Sequence, residues 1–176
     1  MKKLGVFLAA FAIAALSGCV EYSLAPVAVT ATQNGTFVVD VSLNHCVTLP
    51  YTDLSWCSDT SDVYGVAFDL NYDPAVVRFS SISVAGSVLS SVTATTGFRN
   101  SATDNGKLVV AVTKQGQVAG QQGEGKIAGI TFTAYAPGTT TLSFNDPHLV
   151  DSAGEFLVGW PAYAASLNTA SVTVTP

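Results

Sequence analysis

The chain is poor in charge, and the little it carries is mostly negative. Of its 176 residues, 7 are Lys or Arg and 12 are Asp or Glu. So few basic residues exclude a nucleic-acid surface, and they exclude electrostatic docking on anionic lipid as well. Histidine is scarcer still, with only His45 and His148. Neither lies in a nucleophile motif, and Gly-x-Ser-x-Gly, a metal-binding histidine pair and a phosphate loop are all missing from the sequence. Catalysis is therefore not expected, and no catalytic residue is assigned. No EF-hand spacing occurs. Asp146, Asp151 and Glu155 sit on neighbouring turns, as do Asp59 and Asp62, but calcium asks for six or more oxygens. No metal or other cofactor is assigned to this chain. A convincing helical period is also absent beyond residue 18, which excludes the helical fold classes. Only Asp73 to Val77 could close one turn, with Pro74 at a first helical position.

What is present begins at the N-terminus. Lys2 and Lys3 precede an apolar run from Leu4 to Leu16, and Leu16-Ser17-Gly18-Cys19 closes it. Basic, apolar and small residues in that order form a secretory signal. The run is shorter than the ~20 residues of a bilayer span. Its ending resembles the lipobox of bacterial lipoproteins. The resemblance implies cleavage before Cys19, lipid on the Cys19 sulfur, and a mature protein tethered in the bacterial cell envelope. In that family an Asp after the cysteine favours the inner membrane. Val20 stands there, which points to the outer membrane if the cell has one. Several acyl chains would make the anchor stable, since one alone is marginal. Residues 1–18 are thus read as a signal peptide, 19–26 as a lipid-anchored tether, and 27–176 as the folded domain.

Loss of the signal leaves 158 residues carrying 5 Lys and Arg against 12 Asp and Glu, a net charge of −7. That length makes one ordinary domain, and a 48% hydrophobic composition supplies a sizeable core. Cys46 and Cys57 remain, and an even pair in an exported protein suggests a disulfide. The small loop it closes would stabilise the fold by about 2–3 kcal/mol. Metal binding by the two cysteines with His45 is the lesser reading in an oxidising compartment.

From there the pattern is period two. Phe37, Val39, Val41 and Leu43 alternate with polar neighbours, as do Tyr64, Val66, Phe68, Leu70 and Tyr72, and then Leu108, Val110 and Val112. Ile130 and Phe132, Leu142 and Phe144, and Val172 and Val174 mark further runs. Such alternation means strands with one face on a core. Asn34-Gly35, Asn105-Gly106, Pro137-Gly138 and Ser152-Ala153-Gly154 punctuate them as turns. The polar, Gly-rich stretch from Gly116 to Gly125 reads as a surface loop. The whole reads as a single all-β sandwich.

The run Val63-Tyr64-Gly65-Val66-Ala67-Phe68-Asp69-Leu70-Asn71-Tyr72-Asp73-Pro74-Ala75-Val76-Val77 resembles the third-strand region of cohesin domains, which ends in Tyr-Asp-Pro before apolar residues. Asn34-Gly35-Thr36 leading into Phe37 to Leu43 is similar to that family's second strand. Gly106 to Ala111 is similar to its central strand, and Gly123-Glu124-Gly125-Lys126-Ile127-Ala128-Gly129-Ile130-Thr131-Phe132 to a further one. Pro137 to Leu142 and Leu149 to Gly154 resemble its closing hairpins. The resemblance spans residues 27–175. It implies a jelly-roll β-sandwich of about nine strands, of the architecture also found in some carbohydrate-binding modules. It implies a dockerin module as partner, with calcium on the partner rather than on this chain, in systems that degrade polysaccharide. Many family members carry Asn and Asp at the dockerin-facing positions that are here Gly65 and Ala67. Those polar contacts are therefore missing, or the binding rule differs.

Two sets of binding residues follow. The outer face of the Tyr-Asp-Pro strand and its neighbour offers Gly65, Ala67, Asp69, Asn71, Val109 and Ala111 to a protein partner. The alternative is direct glycan binding through exposed aromatics such as Tyr51, Trp56 or Trp160. For these aromatics, and for Phe156 and Tyr163, packing on the core is the plainer expectation. A structural envelope lipoprotein without a soluble ligand is the third reading.

Overall fold

A computed structural model describes residues 20–44, 46–48, 55–57, 62–122, 124–158 and 165–176. Fourteen strands occur among them: β1 (Val20–Ala25), β2 (Ala28–Thr32), β3 (Thr36–Asn44), β4 (Cys46–Thr48), β5 (Ser55–Cys57), β6 (Val63–Asn71), β7 (Val77–Ser83), β8 (Val92–Phe98), β9 (Lys107–Lys114), β10 (Gly125–Ala134), β11 (Gly138–Asp151), β12 (Phe156–Val158), β13 (Ala165–Leu167) and β14 (Thr169–Thr175). The all-β sandwich expected from the alternation is what forms. The count exceeds nine because short edge pieces and the β4–β5 hairpin add to the main strands.

One sheet has the order β13-β1-β3-β10-β7, the other β2-β14-β11-β6-β9-β8, with β12 paired to β11. Alternation decides which side chains meet between them. Val39, Val41 and Leu43 from β3 oppose Val66, Phe68 and Leu70 from β6 and Leu108, Val110 and Val112 from β9, all at most 2% exposed. At the centre Tyr22, Phe68 and Phe144 form an edge-to-face triangle with centroids 5.2–6.2 Å apart. Such pairs add to the burial of their area.

Residues 19–26 are not a tether. Val20, Tyr22 and Leu24 of β1 are at most 1% exposed, and β1 lies between β13 and β3. The Tyr22 hydroxyl donates to the His148 carbonyl at 2.9 Å, crossing from one sheet to the other. Burial of three apolar side chains and a bridging hydrogen bond outweighs the freedom a tether would keep.

Tyr72-Asp73-Pro74 acts as a strand-to-turn device. The Asp73 carboxylate accepts the Ala75 amide at 2.8 Å, and the Asp73 carbonyl accepts those of Val76 and Val77. This is the single turn anticipated at Asp73 to Val77. Its other side is pinned by Gly106, whose carbonyl accepts the Tyr72 amide at 2.9 Å.

Cys46 and Cys57 are directly opposite in the β4–β5 pairing. Opposed residues of an antiparallel pair have Cα atoms about 4.5–5.5 Å apart, within disulfide range. Cys19 and the signal segment lie outside the described residues.

Candidate binding face

The side of β11-β6-β9-β8 turned away from the core is built in cross-strand rows. Ala67 stands between Ala111 and His148, with Thr95 beyond Ala111. Gly65 stands between Thr113 and Val150, Asp69 between Val109 and Asn145, and Asn71 between Lys107 and Ser143. Small side chains at the centre leave a shallow, mainly apolar groove of about 140 Å³ lined by Gly65, Ala67, Ala111, Thr113, His148 and Val150. A wider, open groove of about 710 Å³ continues it, between the Gly116–Ala119 loop and the Asp151–Gly154 hairpin tip. Tyr64 and Val150 form part of its wall, and the Tyr64 hydroxyl donates to the Gly116 carbonyl.

The sequence-derived face is brought together on this surface, with two changes. Asp69 is only 3% exposed, and its carboxylate is held by the Arg99 guanidinium, with Nη2 at 2.8 Å from Oδ1 and Nε on Oδ2. Alternation places Asp69 on the outer face correctly, but Arg99 from the β8–β9 turn closes over it. A buried carboxylate needs such a partner. Gly65 is also buried, because Val150 leans over it; a Cβ there would come within 3.0 Å of the Val150 side chain. Ala67, Asn71, Val109 and Ala111 are half-buried on the face.

Arg99 also reaches Asp146, with Nη2 at 3.1 Å from Oδ2, and Asp146 Oδ1 is 3.1 Å from His148 Nε2. Asp146 takes this position through a bulge in β11, where its φ is +50° and the register with β6 shifts between Asn145 and His148. Hydrogen bonding to Asp69 raises the Arg99 pKa above its ordinary value, with its charge and that of Asp146 adding to the effect, so the guanidinium stays charged. The result is a chain Asp69–Arg99–Asp146–His148 along one border of the groove.

His148 and Arg99 were missed as face residues. His148 betrays itself only by pairing with Ala67 across a bulge, and Arg99 only by reaching back from a turn 30 residues along the chain from Asp69. Phe156 differs from the expectation of core packing. It is 52% exposed, with its ring 5.5 Å from that of His148. It therefore forms a rim beside the groove. Tyr51 and Trp160 lie outside the described residues, and Trp56 is placed by its backbone register with Val47 alone. The acidic residues weighed for calcium have other partners. Asp62 accepts hydrogen bonds from Gly120 and Ser152, Asp151 from Ala153 and Glu155, and Asp146 holds Arg99.

A two-sheet jelly roll with a flat outer face of small residues and a polar border is the form of a protein-binding module. The sequence model of the Cohesin domain matches residues 39–156, well over half of the chain, and the chain belongs to that family. A cohesin module from a Clostridium perfringens family 33 glycoside hydrolase is similar, with 11% identity, a TM-score of 0.63, and coverage of 91% of this chain and 98% of that one. A cohesin in a cohesin–dockerin complex from Clostridium thermocellum is similar at 8% identity and a TM-score of 0.62, covering 91% and 97%. A non-cellulosomal cohesin from the archaeon Archaeoglobus fulgidus is similar at 12% identity and a TM-score of 0.58, covering 91% and 92%. At these identities the likeness is one of fold. Comparison with curated proteins gives no match.

Proposed function

We propose that this chain is a lipid-anchored envelope protein whose cohesin domain binds a dockerin-type module through the outer face of β11-β6-β9-β8. The observation that carries the reading is the small-residue groove at Ala67 and Ala111 on a face that no other element covers among the described residues. A flat sheet with small side chains lets a partner's backbone and apolar side chains approach closely. Arg99, Asp146 and His148 then supply a polar rim. The centre of this face is apolar, so affinity rests on buried side chains rather than on a polar pair. Calcium belongs to the partner, and the role is binding rather than catalysis. The anchor at Cys19 places the domain at the cell envelope, on the outer membrane where the cell has one. The pairing would hold a dockerin-bearing protein there, in keeping with polysaccharide degradation.

The test uses the soluble domain from Val20 onward as bait in the organism's own envelope and secreted fractions, with calcium and with chelator. A protein with paired calcium-loop repeats should be retained in calcium and lost with chelator. Ala67→Glu should weaken that binding at least tenfold, because an unpaired charge in a desolvated interface costs about 2–5 kcal/mol. Failure to retain any such protein, or undiminished binding by Ala67→Glu, would overturn the reading.

A further inference from the structure

The start of β1 carries a consequence for how the domain stands in the envelope. Val20 is 1% exposed and paired to Ala165, and Glu21 is paired to Asn44. Cys19 is its covalent neighbour, so the Cα atoms are about 3.8 Å apart. An acylated Cys19 therefore has no slack between lipid and sandwich.

Strand directions identify what lies at that end. β3 finishes there at Asn44, and β10 begins there, since Gly125 pairs with Leu43. The Gly116–Gly120 segment leads into β10 from the end of β9, where Thr113 pairs with Gly65. Asp151 pairs with Val63, which brings the Ser152–Gly154 tip to the same end.

That end is suited to a neutral, polar surface. The segment Gly116-Gln117-Val118-Ala119-Gly120 carries no charge, and Val118 is 46% exposed. The Asp62 carboxylate accepts the Gly120 amide at 2.7 Å and the Ser152 hydroxyl at 2.7 Å. Asp151 accepts the amides of Ala153 and Glu155 at 2.9 and 2.8 Å. These two negative charges are engaged within the protein. The lysines at this end are engaged too: Lys126 pairs with Asp40 at 2.8 Å and buried Lys114 donates to the Leu89 carbonyl.

We infer that the end of the sandwich bearing Val20, the Gly116–Gly120 segment and the Ser152–Gly154 tip rests on the lipid headgroup surface, with the strands rising from it. The inference rests on the lipid anchor proposed above and is independent of the partner's identity. The nine residues of β6 span about 30 Å, so the turn at Ala75 stands clear of the membrane. Ala67, four residues up β6 from Val63, is raised by about 13 Å. The docking face is thus held upright, and its wider groove opens toward the bilayer.

The test uses the full lipidated protein in phosphatidylcholine vesicles that carry a headgroup-attached quencher. An environment-sensitive fluorescent residue is placed at position 118 or at position 75, both exposed. Mass analysis establishes acylation of Cys19 first. Loss of most of the emission at 118, with none lost at 75, is the expected result. A flexible Gly/Ser linker inserted between Cys19 and Val20 should restore emission at 118. With Cys19 acylated, equal quenching at the two positions, or quenching at 118 that survives the linker, would overturn the inference and leave the lipoprotein reading standing. An unacylated Cys19 would remove both.

Discussion

Gly106→Ala offers the sharpest check on how the Tyr-Asp-Pro turn is held. Gly106 has φ +74°, and a Cβ there would lie 2.3 Å from the Tyr72 carbonyl oxygen and 2.8 Å from Pro74 Cδ. Backbone and a proline ring cannot swing aside as a flexible side chain could. Gly86 has almost the same φ, +75°, with nothing within 4 Å of the corresponding position. The conformational cost alone is about 1 kcal/mol, and it is common to both sites. At Gly106 the overlap is relieved only by opening the 2.9 Å bond from the Tyr72 amide to the Gly106 carbonyl. Losing a bond to a buried partner adds about 1–3 kcal/mol. Gly106→Ala should therefore cost about 3 kcal/mol and lower Tm by roughly 6–12 °C in a domain of this size. Gly86→Ala should cost about 1 kcal/mol. Urea denaturation of the domain from Val20 onward measures both, with an unchanged m-value as the sign that only stability moved. Equal losses at the two glycines would refute the argument that close backbone approach, rather than φ, dictates Gly106.

Further outcomes follow from the same geometry. Hydrogen bonds from the Ser152 hydroxyl and from the Gly120 and Ser152 amides hold the Asp62 carboxyl below its ordinary pKa, against a smaller effect of desolvation. A depressed folded value stabilises above the unfolded pKa of about 3.9, and that contribution is lost as pH falls through the lower folded value. Asp62→Asn should flatten the acid limb of stability against pH, and an unchanged limb would count against the latch. Arg99→Ala should destabilise the domain by stranding buried Asp69, and Asp69→Asn in the same chain should recover part of the loss; additive effects in that double-mutant cycle would deny the pairing. Phe68→Ala should cost about 3–5 kcal/mol, since its ring sits between Tyr22 and Phe144, and a loss under 1 kcal/mol would deny the aromatic triangle. Thiol alkylation of the denatured domain should label Cys46 and Cys57 only after reduction, and labelling beforehand would exclude the disulfide.

The sandwich was legible because its main strands bury one face and wet the other. Val39, Val41 and Leu43, then Val66, Phe68 and Leu70, could not alternate so regularly on a helix. Turn chemistry was legible for a similar reason: Asn34, Gly106, Gly138 and Gly154 all take positive φ, where other residues pay strain. β1 was legible in principle, since Val20, Tyr22 and Leu24 alternate with Glu21 and Ser23. The strength of the neighbouring lipobox-like motif directed that stretch to a tether instead. Short pieces such as β12 and β13 carry too few residues for any period to register.

By itself, then, the order of residues determines the fold class, the orientation of each long strand and the family, because these depend on local periodicity and on turn residues. It also determines that Ala67 and Ala111 share an outer face. Tertiary structure alone decides what that face presents. Arg99 closes over Asp69, Val150 leans on Gly65, and a bulge at Asp146 swings His148 beside Ala67. Each of these contacts joins residues at least 30 positions apart. Only the packing of β11, β6 and the β8–β9 turn into one sheet brings such residues within hydrogen-bond or van der Waals reach, and no local pattern encodes that proximity.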